Sequence, residues 1–342
     1  GGGGMSPSAF ALCHSGLLRG RTPTLSTSQS LMSPPSRVIV LRGQSSRDDP
    51  SLTNVDDYEW LKRSRPVRIC ARLLSLEGVA TAGATGASAI DDVGGSSSTT
   101  KIVHFQRHGQ GTHNELYRRW AEENGRPFDL SETDPLKNPL LTDVVLDAPL
   151  TQKGRDQCLE QRCVASELRG VELIVVSPLV RALETACITF KDHLPHKSHN
   201  SQRGTRVVKW IAHEGIREEL GTLLCNKRRT LGETLSAFPH VDFAYLDTSE
   251  EDQVWDRHAE RTQCDEGIPR RETTEDMSHR AYDFLTNFVY ARPETNMAVV
   301  GHSAWLLAMT SAVLDLEEED ADLIMPMFGQ AELRSLELTF LK

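Results

Sequence analysis

Residues 101–114 read KIVHFQRHGQGTHN. A short apolar run ends at Phe105, Arg107-His108-Gly109 follows, and Thr112 opens a helical pattern that continues to Gly125. Apolar run, glycine-bearing break and helical period predict a buried strand, a tight turn and a helix in succession. The two histidines fall at and just after the turn. A metal site, a phosphate site and a plain buried network would each make use of them.

The same grammar repeats along the chain. VELIVV (171–176) reads as a second buried strand closed by Ser177-Pro178, RVVKWIAH (206–213) as a third, and NMAVVGH (296–302) as a fourth. Between them lie helical patterns at 112–125 and 150–170, the latter stopped by Gly170. Another follows Pro178, with Leu183, Cys187, Phe190 and Leu194 on one stripe. Residues 271–292 carry Met277, Ala281, Phe284, Leu285, Phe288 and Val289 at helical spacing, and 303–316 reads as one more helix. Residues 332–341 alternate as an edge strand would. Residues 222–270 are polar and irregular, long enough for an inserted cap over a site.

Strands alternating with helices predict an α/β fold: a three-layer α/β/α sandwich with a mostly parallel central sheet. Ligands in such sheets bind outside the carboxyl ends of the strands. Arg107 and His108 end the first strand, and Ser177 and Arg181 follow the second. Glu214 to Glu219 follow the third, and His302 ends the fourth. Two histidines, two arginines and a carboxylate are thereby predicted to converge.

Composition bounds the rest. The 342 residues are 38% hydrophobic and 25% charged, enough for a sizeable core, and no apolar run approaches a membrane span. The seven cysteines are odd in number and lack CxxC spacing, against a disulfide framework or zinc ribbon and for a reducing compartment. Residues 1–100 carry 10 Lys+Arg and 8 Asp+Glu, residues 101–342 carry 28 and 40. An acidic body repels nucleic acid and anionic membrane, so neither is an expected partner. Met5 to Arg47 holds no Asp, Glu or Lys but five arginines and many serines. That is the pattern of an organellar transit peptide or of a disordered tail, so cytoplasm and organelle both stay open. Residues 81–100 are a Gly/Ala/Ser linker, and 55–76 has apolar residues able to dock on the body. Residues 1–100 are expected to be an extension and the folded domain to span 101–342.

The residue types discriminate between chemistries. His108 and His113 are five apart across Gly-Gln-Gly, which is neither a helical zinc pair nor a finger, and neighbouring arginines repel a cation. No metal is expected. Arginine forks hold phosphate oxygens in pairs, and two arginines from different strand ends can clamp one phosphoryl group. Their charge also disfavours protonation of a nearby imidazole, leaving a lone pair able to attack phosphorus. Gly109 and Gly111 let backbone approach the oxygens. A carboxylic acid would protonate the leaving oxygen and then activate water.

These residues resemble the histidine phosphatase superfamily, also called the phosphoglycerate mutase-like proteins. The signatures stand here as RHGQGTHN (107–114), SPLVRALETA (177–186) and VVGHSA (299–304), with LTQKG (150–154) also fitting. The likeness runs from about Lys101 onward and is nearest to plant and fungal phosphoglycerate mutase-like proteins, whose Arg-Glu-x-x-Gly stretch and basic cluster read REELGTLLCNKRR (217–229). The resemblance implies His108 as nucleophile, Arg107 and Arg181 as phosphoryl clamp, His302 completing the pocket and Asn114 on a phosphate oxygen. Glu218 is the implied proton donor, with Glu214 and Glu219 as nearby alternatives. Lys227 and Arg228 either recognise an anionic substrate tail or belong to a solvated basic loop. His113 reads as pocket wall or hydrogen-bond partner, and His104 as structural. The implied activity is hydrolysis of a small phosphorylated metabolite through phosphohistidine, without cofactor. Two alternatives are a phosphoglycerate mutase-type transferase and an inactive phosphate-binding module. Mutases of the family usually have Glu-Ser where this chain has Gln110-Gly111, which favours hydrolysis. Substrate identity and oligomeric state stay open.

Overall fold

The computed structural model describes residues 62–75, 98–194, 207–263 and 267–342. The arginine-rich stretch 5–47 and most of the 81–100 linker lie outside them.

An eight-stranded sheet runs in the order β5-β4-β3-β6-β2-β8-β1-β7. Its strands are β1 (Arg68–Leu73), β2 (Ser98–Arg107), β3 (Leu173–Val176), β4 (Lys209–His213), β5 (Asp242–Tyr245), β6 (Asn296–Gly301), β7 (Asp315–Leu316) and β8 (Leu333–Leu341). Every pairing is parallel except those of β8, which runs antiparallel to both β2 and β1. The helices are α1 (Thr112–Asn124), α2 (Gln152–Glu167), α3 (Val180–Thr189), α4 (Leu231–Ala237), α5 (Gln253–Thr262), α6 (Thr274–Asp283), α7 (Ser303–Ala312) and α8 (Glu318–Ile324).

Alternation along the central strands builds the layers. Leu173, Val175, Met297 and Val299 face a core shared with Ala281 of α6, Trp305, Leu306 and Met309 of α7, and Phe284 and Phe288. Their neighbours Ile174, Val176, Ala298 and Val300 face the opposite core, shared with Ala165 of α2 and Ala182, Leu183 and Ala186 of α3. Side chains of a strand point alternately to its two faces, so a strand buried on both must be apolar throughout. That is why LIVV and MAVV are uninterrupted, and it makes the predicted three-layer sandwich the observed one.

Several expected boundaries move. The body does not begin at Lys101: β1 belongs to the sheet, zipped to β8 from Arg68↔Leu341 to Leu73↔Leu336 and touching β7 at Cys70↔Asp315. For the same reason β8 is an interior strand and not an edge. The helix expected over 303–316 stops at Ala312, and Asp315–Leu316 joins the sheet beside β1. In the region expected to be an irregular cap, α4 and α5 form, and β5 extends the sheet beyond β4. The helix expected over 271–292 is α-helical only to Asp283 and continues as a π-helical turn over Phe284–Val289. Among the described residues no helix is long and apolar enough to cross a membrane.

Candidate active site

Parallel pairing of β2, β6 and β3 brings their carboxyl ends to one edge. Arg107 lies opposite Gly301, and Val176 opposite Val300. One residue further on, the His108 N–H donates to the Gly301 carbonyl at 3.0 Å and the Ser177 N–H to that of Val300 at 3.0 Å. His108, His302 and Arg181 are each at most 1% exposed.

The turn after β2 is held by two glycines. A Cβ on Gly154 would lie 2.2 Å from the Gln110 carbonyl oxygen, and one on Gly109 would lie 2.5 Å from that of Gly154. The first turn of α2 therefore presses directly on the His108 loop, where only hydrogens fit. Thr151 completes the contact: its hydroxyl caps α2 by accepting from the Gly154 N–H and donates to the Gln110 side-chain oxygen at 2.8 Å. The LTQKG stretch is thus the floor of the histidine loop.

Hydrogen bonds select one tautomer of His108. Its Nδ1 lies 2.6 Å from the Gly109 carbonyl, which can only accept, so Nδ1 carries the hydrogen. The Arg181 Nε–H, which can only donate, points at Nε2 from 3.2 Å, so Nε2 holds a lone pair. The ring is neutral, with its nucleophilic nitrogen facing a guanidinium. Burial first, then the charges of Arg181 and Arg107, hold the His108 pKa well below the usual imidazole value.

His302 is oriented by Ser177. The Ser177 hydroxyl lies 2.7 Å from His302 Nε2 and also accepts from the Leu179 N–H at 3.4 Å. Its own hydrogen finds an acceptor if it is donated to Nε2, which leaves the His302 hydrogen on Nδ1. That Nδ1 is buried without a partner, as are Arg107 Nε and His113 Nδ1. The His108 ring centroid is 5.1 Å from that of His302 and 5.8 Å from that of His113. Orphaned buried nitrogens are costly, and several around one imidazole mark a place where an anion would be welcome.

The three glutamates differ in their partners. Glu214 pairs with Arg217, and Glu219 is bound by Arg271. Glu218 is 8% exposed, and its Oε2 accepts only long contacts, 3.4 Å each, from the Ser303 hydroxyl and the Ala304 N–H at the start of α7. Its charge acts on both Arg107 and Arg181. Of the three glutamates, Glu218 is the one turned to the arginines of the site. Burial lowers the Arg107 pKa to about 10, with Glu218 opposing that shift.

Other expected residues stand elsewhere. Arg228 is 2% exposed, and its guanidinium donates to the carbonyls of Arg229, Ser249 and Glu251. Lys227 bonds Asp256 at 3.0 Å. Arg228 therefore braces its loop, and the expectation that this pair recognises a substrate tail is not carried by its contacts. Asn114 uses its side-chain oxygen to accept from the Gly111 N–H at 3.0 Å, capping α1. His104 is bound on both ring nitrogens, by Ser335 and Asn296, and is a core residue.

Residues that motif reading passed over hold the arginine. Arg181 donates to the Cys225 carbonyl at 2.6 Å and to Asn226 Oδ1 at 2.8 Å, and Asn226 in turn donates to the Glu219 carbonyl. Thr185 accepts from the Gly109 N–H and donates to the Arg181 carbonyl, tying the histidine loop to α3. Ser177 and Thr185 stand inside the second signature, so their positions were visible though their partners were not.

Buried imidazoles make the fold acid-sensitive. His104 and His213 are lowered by burial to about 4, and His108, His113 and His302 fall well below 6.5. Each binds a proton in the unfolded chain at a pH where the folded chain refuses it. Their contribution is complete above about pH 6.5 and is lost as pH falls toward the folded values, at about 1.4 kcal/mol per group per pH unit. The melting midpoint is expected to fall steadily from pH 6.5 to 4.5. A flat midpoint over that window, measured by calorimetry, would contradict neutral burial of these rings.

Residues 233–339, which include His302, match the histidine phosphatase superfamily (branch 1). The chain is 30% identical over 259 residues to phosphoglycerate mutase-like protein 1 of Arabidopsis thaliana, across 69% of this chain and 80% of that protein. Over 98 residues it is 36% identical to a probable phosphatase of Schizosaccharomyces pombe, across 28% of this chain and 35% of that one. Among solved structures, a mycobacterial glucosyl-3-phosphoglycerate phosphatase aligns with 69% of this chain and 92% of its own, at 19% identity and a TM-score of 0.37.

Proposed function

We propose that this chain, which belongs to the histidine phosphatase superfamily, is a phosphomonoesterase that turns over through phosphohistidine at His108. The observation carrying this reading is the locked tautomer: Nδ1 is bound to a carbonyl, and the Nε2 lone pair faces the Arg181 N–H.

The Nε2 lone pair forms the N–P bond while the ester P–O bond breaks. The Glu218 carboxylic acid gives its proton to the departing oxygen, releasing an alcohol. The Arg181 N–H that rests on the lone pair turns to an incoming phosphoryl oxygen and so frees the lone pair to attack, with Arg107 Nε and the His302 Nδ1–H as further donors. Fixed donors aimed at developing charge supply most of what phosphoryl transfer needs. The Glu218 carboxylate then takes a proton from water, whose oxygen attacks phosphorus as the P–N bond breaks. Phosphate leaves and His108 returns neutral. Asn114 lies in the first turn of α1, and its side-chain NH2 is the group that would meet a phosphate oxygen, since its backbone N–H is bonded to the Gly111 carbonyl. The cycle calls for no metal or organic cofactor, and the substrate class is a small phosphorylated metabolite.

The test is incubation of the purified chain with a generic phosphomonoester and, separately, with 2- or 3-phosphoglycerate. Phosphate release with an acid-labile phosphoenzyme supports the reading. Isomerisation of phosphoglycerate outpacing phosphate release would make the chain a mutase, and binding without turnover would make it a phosphate-binding module. Ser177→Ala is expected to lower kcat about tenfold, the worth of one hydrogen bond, with KM little changed, because His302 is then free to take either tautomer. Steady-state kinetics with unchanged kcat would show that Ser177 does not set that tautomer.

A further inference from the structure

His113, expected as pocket wall or hydrogen-bond partner, stands beside the nucleophile. It is 9% exposed, its Nδ1 is buried without a partner, and its ring centroid is 5.8 Å from that of His108. Burial and the charges of Arg181 and Arg107 hold it neutral at rest.

What lets the ring lie there is Gly111. A Cβ on Gly111 would stand 2.6 Å from both Cε1 and Nδ1 of His113. The backbone at Gly111, φ −88° and ψ 163°, is ordinary extended chain open to any residue. Glycine is required at this place by the imidazole and not by the turn. A side chain at position 111 and the inward ring of His113 compete for one space.

We propose that His113 is a third imidazole of the phosphoryl pocket, donating a hydrogen bond from its ring to a phosphoryl oxygen, and that Gly111 is the residue that admits it. This rests on the phosphatase reading above and assigns a further ligand within the same site. A bound phosphoryl dianion offsets the two arginines, so the ring meets an acceptor where it now meets none. Charge-assisted hydrogen bonds of this kind are stronger than neutral ones.

The pairing gives a double-mutant cycle. His113→Ala removes the donor, and Gly111→Ala displaces the ring without touching its chemistry. Each alone is expected to raise the inhibition constant of inorganic phosphate and lower kcat/KM by about tenfold or more. The double variant should lose little beyond His113→Ala, because no ring remains to clash with the new Cβ. His113→Gln, which keeps an N–H donor, should recover part of the loss. Circular dichroism and melting midpoints confirm that the variants are folded. If His113→Ala binds phosphate as tightly as the unaltered chain, or the two substitutions add independently, the assignment is overturned. If the unaltered chain forms the acid-labile phosphoenzyme while His113→Ala is fully active, only the role of His113 falls. If the unaltered chain neither binds phosphate nor forms the phosphoenzyme, the phosphatase reading falls and takes this inference with it.

Discussion

Replacement of His108 by alanine is expected to abolish turnover: kcat on a generic phosphomonoester falls roughly 10⁴-fold or more, the scale seen when a covalent nucleophile is removed. The acid-labile phosphoenzyme should disappear at the same time. Neither neighbouring imidazole can take over. His302 is committed through Nε2 to Ser177, and the His113 ring is packed against the Gly111 backbone. The arginines remain, so the variant should still bind inorganic phosphate, which separates loss of the nucleophile from loss of the pocket. Removing the imidazole strands the Arg181 Nε–H and the Gly109 carbonyl but breaks no ion pair, so the melting midpoint should fall by a few degrees with the fold retained. Full activity in this variant would make the central assignment wrong. Loss of activity with a retained phosphoenzyme would place the covalent group on another residue.

The second large effect is on stability. Asp252 and Arg217 are each 1% exposed and face each other through two hydrogen bonds, at 2.8 and 2.6 Å. Asp252 also accepts from the N–H groups of Arg228 and Trp255, and Arg217 donates to the Asn226 carbonyl. Burial pushes the Asp252 carboxyl up, but Arg217 and the backbone donors outweigh it and its pKa ends below the usual value. Asp252→Ala leaves the buried guanidinium with Glu214 as its remaining carboxylate partner and strands two amides at once. Breaking one partner out of such a pair costs about 3–5 kcal/mol, a drop of roughly 10 °C in the melting midpoint of a domain this size. Activity should fall as well. The loop that Asp252 anchors at Arg217 and Arg228 carries Glu218 on one side and, through Cys225 and Asn226, the acceptors of Arg181 on the other. A shift under 2 °C with unchanged kcat would mean that the pair is not the anchor it looks to be.

This anchor was not legible in the sequence. Arg217 stands in a quoted motif, yet nothing local names a partner 35 positions away. The basic run at 227–229 left two readings open, an anionic ligand or a solvated basic loop, and its contacts were not legible either. In the fold these side chains bond carbonyls, Asp256 and the buried Asp147. Long side chains choose partners by where the folded backbone places acceptors, and a one-dimensional pattern holds no record of that.

The strands behave differently. LIVV and MAVV announce burial on both faces because a two-faced strand has no side left for water, a property of each short segment alone. From those segments follow the three layers, the common edge of strand ends, and the meeting of Arg107, His108, Arg181 and His302. β1 escaped notice although RICARL alternates as a half-buried strand does, because nothing local names β8, more than 260 positions on, as its partner.

Sequence by itself therefore determined the layered fold and which strand ends meet, since both follow from residue type and local period, while the roles expected of the residues there came with the family resemblance. Tertiary structure decided the rest. It turned Glu218 toward the arginines while Arg217 and Arg271 claimed its neighbours, made Arg228 a brace, set the tautomer of His108, and brought His113 onto the face of Gly111. Those outcomes depend on distances of a few ångströms between groups far apart in the chain, and only the packed backbone sets them.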